Sequence, residues 1–139
     1  MKKIILGVLI FLMLSSVAYC EGKNSELKLN VYERIMLSSI LPKKSNFEKA
    51  MIISDITDKI RLTQKDIVLY EIKSTDKTTT WNAKGLEAVP FTFTETEVQV
   101  LKDSLEEVNK KNEVEASRPF LEMYKKIKNA EAKTSDDSH

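Results

Sequence analysis

The sequence predicts a predominantly helical α+β fold with three N-terminal helices, a small antiparallel β-hairpin and two C-terminal helices. Two observations support this prediction. Four times along the chain, a polar residue that can cap a helix is followed three positions later by Glu or Asp, at the start of an apolar pattern with helical spacing. Between the third and the fourth of these signals, residues Glu71–Thr94 are rich in Thr and aromatic side chains, which favours short strands.

The first three capping signals begin three predicted helices. Apolar residues follow each cap at helical spacing, and Pro42 ends the first helix. In the third and shortest helix, we expect apolar side chains to pack inward from Ile67, Val68, Leu69 and Tyr70. The predicted capping pairs are Asn30 with Glu33, Ser45 with Glu48, and Thr63 with Asp66.

The strand-rich stretch and two further helices complete the predicted domain. In that stretch we expect two or three short antiparallel strands, with Pro90 at a strand edge or bulge. Thr94 and Glu97 then begin a long helix, whose apolar stripe consists of Val98, Leu101, Leu105 and Val108. A last helix is predicted from Arg118 to Asn129, because Pro119 is tolerated in a first helical turn.

The first eighteen residues predict a secretory signal peptide. Lys2 and Lys3 precede the uninterrupted apolar run Ile4–Leu14, and short side chains follow as far as Ala18. As a helix, this run would span only about 16 Å, roughly half of the hydrocarbon thickness of a bilayer. The pattern therefore favours a cleaved leader over a membrane anchor, and it predicts a bacterial protein exported to the periplasm or the cell exterior.

Cys20, the only cysteine, lies at the end of this leader, and three alternatives stay open for it. Cleavage after Ala18 would keep Cys20 in the mature chain, and cleavage after Cys20 would remove it. Lipidation of Cys20 would make the protein a lipoprotein, although bulky Tyr19 occupies the position where a lipoprotein signal has a small residue. Only the leader or a lipidated Cys20 would then connect the protein to a membrane.

Beyond the leader, the sequence predicts a polar tether over residues 19–28, a single compact domain over 29–129 and a disordered polar tail over 130–139. A domain of this size can fold without disulfides, and a lone cysteine cannot form an internal one. The chain has 22 Lys and Arg against 21 Asp and Glu, with both signs interspersed. Because nucleic-acid binding needs a basic face, we expect no nucleic-acid partner.

Residues that could support catalysis or cofactor binding are scarce. The only histidine is His139, and Gly85 is the only glycine within the predicted domain, so we expect no metal, no cofactor and no catalytic residue. Two S-x-x-K matches, Ser25–Lys28 and Ser74–Lys77, lie in polar stretches and are interpreted as chance. The alternatives are a carboxylate-dependent hydrolase, because acids are plentiful, and a winged-helix DNA-binding protein if the chain is not exported.

The predicted function is instead a non-catalytic binding domain with an unknown protein partner or with itself. Its candidate partner contacts are aromatic residues, because interface hot spots favour Trp and Tyr. For the single tryptophan, the core interpretation is favoured, since it can fill the space between strands and helices. The four candidates are Trp81, Phe91, Phe93 and Tyr124.

In the stretch "LNVYERIMLSSILPKKSNFEKA", Leu29–Ala50, one helix ends at Leu-Pro and the next begins at an Asn-Phe-Glu cap. This stretch resembles the opening of small uncharacterised proteins from phages and bacterial genomes. The later stretch "FTFTETEVQVLKDSLEEV", Phe91–Val108, fits the same pattern of a strand that leads into a long helix. The resemblance extends over residues 29–128 and implies a compact α+β fold and no activity.

Overall fold

A computed structural model describes residues 23–131, which combine helices with a small antiparallel sheet. Four helices have ten or more residues and a fifth is short, so the mixed and mostly helical architecture is confirmed for this part of the chain. The elements, in chain order, are β1 (Asn24–Leu29), α1 (Val31–Ile40), α2 (Phe47–Ile60), α3 (Gln64–Leu69), β2 (Lys73–Ser74), β3 (Thr79–Thr80), a 3₁₀ turn (Ala83–Leu86), β4 (Val89–Thr94), α4 (Glu95–Lys110) and α5 (Arg118–Lys128).

The predicted arrangement of these elements is wrong at the N-terminus. Residues 24–28, expected in a tether, belong to β1, which pairs with β4 so that Ser25 lies opposite Phe93 and Leu29 opposite Val89. Ser25, Leu27 and Leu29 point inward while the residues between them are exposed, as the period of two in a strand requires. The main sheet therefore pairs the first strand of the domain with the last one. The predicted hairpin is present only as the two-residue strands β2 and β3.

The capping prediction is confirmed at three of its four positions. The side chains of Asn30, Thr63 and Thr94 each accept a hydrogen bond from the backbone N–H of the third helical residue. The carboxylate of that third residue in turn accepts a hydrogen bond from the backbone N–H of the cap residue. The box predicted at Ser45 is wrong. Asn46 caps α2 instead, because its side chain accepts a hydrogen bond from the backbone N–H of Lys49 at 2.9 Å.

The hydrophobic core lies between α1, α2, α4, α5 and the inner face of the β1–β4 sheet. The predicted stripe of α4 contributes Val98, Leu101 and Leu105 to it. Ala130, expected in a disordered tail, is also buried in this core, and the Ser25 hydroxyl donates to the Glu131 carbonyl oxygen at 2.8 Å. The largest fully buried side chains are Phe93, Phe120, Leu29, Leu37, Ile56, Ile60, Leu101, Leu105, Met123, Ile127 and Val31.

Two buried glutamates combine helix capping with ion pairing. Glu33 accepts from the backbone N–H of its cap, Asn30, and from Lys126 Nζ at 2.6 Å. Glu97 accepts from the backbone N–H of Thr94 and from Lys59 Nζ, also at 2.6 Å. Both carboxylates are therefore compensated by hydrogen bonds and by an opposite charge, which a buried charge requires.

The predicted signal peptide, Cys20 and the last eight residues of the tail lie outside the described residues. Between residues 23 and 131, no helix combines the length and the apolar character needed to cross a bilayer.

Candidate binding surface

Residues 64–89, which we call the arm, lie mostly outside the hydrophobic core. The arm consists of α3, the β2–β3 hairpin, the 3₁₀ turn and the first residue of β4. Helix α3 buries none of its six residues, and within the whole arm only Tyr70 and Gly85 are buried. The arm is therefore a layer attached to the outside of the domain.

The arm concentrates exposed apolar side chains. Val68 is 69% exposed and Leu86 is 67% exposed, although both are aliphatic. Single exposed apolar residues are ordinary on a protein surface, but a concentration of them indicates a contact surface. Of the eight large apolar side chains exposed between residues 23 and 131, five belong to the arm: Ile67, Val68, Leu69, Leu86 and Val89.

Arg34 on α1 attaches the start of the arm to the domain. Its side chain is only 6% exposed, and its guanidinium lies over the ring of Phe91, 5.0 Å from the ring centre. Its Nε donates to the Ile60 carbonyl oxygen at 2.9 Å, and its Nη2 donates to the Arg61 carbonyl oxygen at 2.7 Å and to Asp66 Oδ2 at 3.0 Å. One buried side chain thus connects the end of α2, the start of α3 and strand β4.

Asp66 keeps its charge in this contact. Burial acts to raise the pKa of Asp66, but this effect is outweighed by hydrogen bonds from the Thr63 backbone N–H, the Arg34 guanidinium and the Thr63 hydroxyl, and by the Arg34 charge. The pKa of Asp66 is therefore lowered from its ordinary value of 3.8. At neutral pH the Asp66 carboxylate is ionised, and it accepts hydrogen bonds both from Thr63, the cap of α3, and from Arg34.

The C-terminal end of α3 is fixed by a second set of hydrogen bonds. The N–H of Ile72 donates to the Ile67 carbonyl oxygen at 3.0 Å, while Glu71 adopts a left-handed conformation with φ of 49°. This is the Schellman arrangement that closes a helix. The side-chain amide of Asn82 also donates to the Leu69 carbonyl oxygen and to Glu71 Oε2, each at 3.1 Å. The exposed apolar residues of α3 are therefore carried by a well-defined backbone.

Trp81 lies in the arm and is half-buried against Gly85. A Cβ atom at position 85 would approach Trp81 Cδ1 to 2.6 Å, so the indole ring packs directly on the glycine backbone. Trp81 is not among the residues of the core cluster, and the interpretation of this side chain as core filling is wrong. Trp81 instead precedes the 3₁₀ turn that carries Gly85 and the exposed Leu86.

The other three candidate contacts are less accessible than expected. Phe93 is fully buried, because its place on the inner face of β4 directs it into the core, and its prediction as a partner contact is wrong. Phe91 is half-buried beneath Arg34, and Tyr124 is half-buried against the core. Of the four candidates, only Trp81 lies in the arm, and Phe91 is connected to the arm through Arg34, which also pairs with Asp66.

Sequence reasoning missed the aliphatic residues of α3, which were expected to pack inward with Tyr70. Only Tyr70 does so, and it lies just beyond the helix. A signal was present, because three consecutive residues of a helix point in directions about 100° apart and cannot share one buried face. The run Ile67–Leu69 therefore had to expose part of its apolar surface.

A groove of about 780 Å³ lies elsewhere, between α1, α4 and the loop after α4. A pair of catalytic carboxyl groups needs different environments, one of them apolar or shielded from water. Every carboxylate that lines this groove is exposed, so none of them has such a shielded environment. Within residues 23–131, no three metal-ligating side chains form a cluster. The lining carboxylates are Asp103, Glu106, Glu107, Glu113 and Glu115.

Comparison with known proteins finds no match for this chain. No protein-family model fits the sequence, and no curated protein or solved structure is detectably similar to it. The arm must therefore be interpreted from its own geometry.

Proposed function

We propose that this protein is a small exported binding protein, without catalytic activity, that docks a protein partner on the arm. The observation that carries this proposal is the contrast between the firm attachment of α3 and its lack of buried residues. The buried Arg34 side chain holds the start of this helix through Asp66 and holds the chain just ahead of it through the Ile60 and Arg61 carbonyl oxygens, although the helix buries no residue of its own. Such an attachment is useful to a protein that must present apolar side chains in a fixed arrangement, because preorganisation lowers the entropy cost of binding.

The charges of the arm favour a partner with an apolar contact surface. Its positive and negative side chains are equal in number, so the arm has no excess charge to attract a polyanion. Affinity would come from apolar contact at the centre, surrounded by a polar rim with charges of both signs. The charged residues of the arm are Lys65, Lys73, Lys77 and Lys84, with Asp66, Glu71, Asp76 and Glu87.

Two aromatic side chains would strengthen this contact. Trp81 rests on Gly85, and Phe91 lies beneath Arg34, so the rings have little freedom to lose on binding. Rigid aromatic residues near an apolar centre are typical interface hot spots. We place the centre of the docking surface on Val68 and Leu86 and expect the two aromatic residues to border it.

The leader supports export as the cellular context of this binding. Its positive start, the apolar run Ile4–Leu14 and the small residues before Tyr19 are the parts of a secretory signal. The intact mass of the protein from a bacterial host, with its cell fraction, tests this. A chain that starts at Tyr19 or Glu21 in the exported fraction, or at an acylated Cys20, supports export. A full-length chain in the cytoplasm overturns it.

The docking surface is tested with a matched pair of charge insertions. Val68→Glu introduces a carboxylate into the arm, and Leu121→Glu does so at an exposed apolar position on α5. Both positions belong to the exposed surface, so both changes are expected to alter the free energy of unfolding by less than about 0.5 kcal/mol. The full-length gene is expressed with each change, and proteins crosslinked to the product in the cell are identified by mass spectrometry.

The expected result is a partner that crosslinks to the wild type and to Leu121→Glu but is lost from Val68→Glu. Its binding to the purified proteins is then measured by calorimetry, with unfolding curves to show that all three are folded. Equal binding by Val68→Glu, or no partner for the wild type, would overturn the assignment of the arm.

A further inference from the structure

A second exposed apolar surface lies on α2 and is separate from the arm. Phe47 is 80% exposed, more than any other large apolar side chain between residues 23 and 131, and Met51 is 53% exposed. The two residues are one helical turn apart and therefore adjoin on the same face. The buried residues of this helix, Ile53, Ile56 and Ile60, lie on other sides. We call Phe47 and Met51 the α2 ridge.

A groove runs beside the α2 ridge. It lies between α2 and the end of α1 with its following loop, and its volume is about 410 Å³. Ser54, Thr57 and Asp58 border it along the second half of α2. Its lining also includes four apolar side chains, which suit an aromatic ring: Leu41, Pro42, Ala50 and Ile53.

Charge is distributed unevenly along this surface. Lys43 and Lys44 lie just ahead of α2, whereas Asp55 and Asp58 lie in its second half, and all four are exposed. Glu48 in the first turn and Arg61 just after the last turn run against this trend, whereas Lys59 is paired with Glu97 of α4. A surface that is basic at one end and acidic at the other is complementary to a reversed copy of itself.

We propose that two copies of this chain associate through antiparallel α2 helices, with Phe47 of each copy in the groove of the other. The ridge and the groove lie side by side, so a two-fold axis forms both contacts at once, as an isologous interface requires. With the axis near Met51, Phe47 lies opposite the stretch 54–57 of the second copy, which borders its groove. Lys44, just ahead of α2, and Asp58, in its last turn, then lie on opposite sides of the axis, so each Lys44 comes close to the end of the second copy's helix that carries Asp58.

The existing contact of Asp58 is compatible with this arrangement. Asp58 pairs with Arg61 at 2.8 Å, and both side chains are about two-thirds exposed. A pair in that environment contributes little stability, so Asp58 can accept a second cation without loss to the fold. The α2 ridge and its groove include no residue of the arm, and this inference does not depend on the function proposed for the arm.

The first test measures the mass of the purified protein by sedimentation equilibrium over a range of concentrations. Cys20→Ser is included in every variant, so that a disulfide cannot join two chains. A dimer is expected, and Phe47→Glu is expected to raise its dissociation constant about 30-fold, which corresponds to about 2 kcal/mol. Leu121→Glu, with the same change at another exposed position, is expected to leave the constant unchanged. A monomer at every concentration, or an equal effect of both changes, overturns the proposal.

A second test examines the orientation of the helices. Lys44→Glu and Asp58→Lys each place like charges together and are expected to weaken the dimer, while the double variant restores opposite charges and recovers its affinity. A double variant weaker than both single variants would overturn the antiparallel arrangement. Val68→Glu, in the arm, is expected to leave the dimer intact, and this result separates the α2 contact from partner binding.

Discussion

Replacing Arg34 with methionine would test the attachment of the arm, because it removes the guanidinium and keeps a long apolar side chain. The change leaves three acceptors without their donor: the Ile60 and Arg61 carbonyl oxygens and the Asp66 carboxylate. The bond to Ile60 is buried, and an unsatisfied buried acceptor costs about 1–3 kcal/mol. The other two acceptors are partly accessible and regain water in the variant.

The loss of the cation–π contact with Phe91 adds about 0.5–2 kcal/mol, since this contact is partly shielded from water. Together these effects predict a loss of about 3 kcal/mol, at the lower end of the range for breaking a buried ion pair. Domains have total stabilities of about 5–15 kcal/mol, so the variant remains folded with a large shift of its urea midpoint.

Urea unfolding followed by circular dichroism and by tryptophan fluorescence measures this effect. The single tryptophan lies in the arm, so its fluorescence is expected to change at lower urea concentration than the helical signal in Arg34→Met. Arg61→Met is the control, because the Arg61 side chain makes only an exposed pair with Asp58 and its loss is expected to cost less than about 0.5 kcal/mol. Equal losses in the two variants would refute the role assigned to Arg34.

Two further predictions concern the arm. The lowered pKa of Asp66 means that its charge contributes full stability above about pH 4 and that this contribution is lost as the pH falls through the folded-state pKa. Urea midpoints measured from pH 7 to pH 2 should therefore fall more steeply for the wild type than for Asp66→Asn, and parallel curves would contradict the pairing. Gly85→Ala places a methyl group 2.6 Å from Trp81 Cδ1 and is expected to cost about 1–3 kcal/mol and to shift the tryptophan emission, whereas an unchanged emission would show that the ring does not rest on this glycine.

Elements determined by local chemistry could be predicted from the sequence. The caps at Asn30, Thr63 and Thr94 are confirmed because each depends on residues only three positions apart. Strand β1 was missed because Leu27 and Leu29 alternate with polar residues over a short stretch, and their burial depends on a strand far along the chain. A short alternating pattern of this kind occurs in tethers as well as in strands, and only the pairing with β4 distinguishes the two.

The binding surface was less predictable for a related reason. Arg34 occupies a helix position that looks solvated in the sequence, and its burial arises only when α2, α3 and β4 meet around it. Phe93 and Phe91 lie on the same side of β4, yet one is in the core and the other at its margin. The sequence identifies aromatic residues as candidate contacts. How deeply each one is buried depends on packing at the end of the sheet, which the sequence does not show.

The pairing of β1 with β4 has a consequence for a chain that crosses a membrane with its N-terminus first. Strand β1 would emerge early, while its partner in the sheet follows only after α1, α2, α3 and the rest of the arm. Contacts between such distant segments form slowly, because a long loop must close before they are gained. The inner face of the sheet would therefore stay open until most of the domain had crossed, and the polypeptide behind it would remain extended enough to pass through a narrow pore.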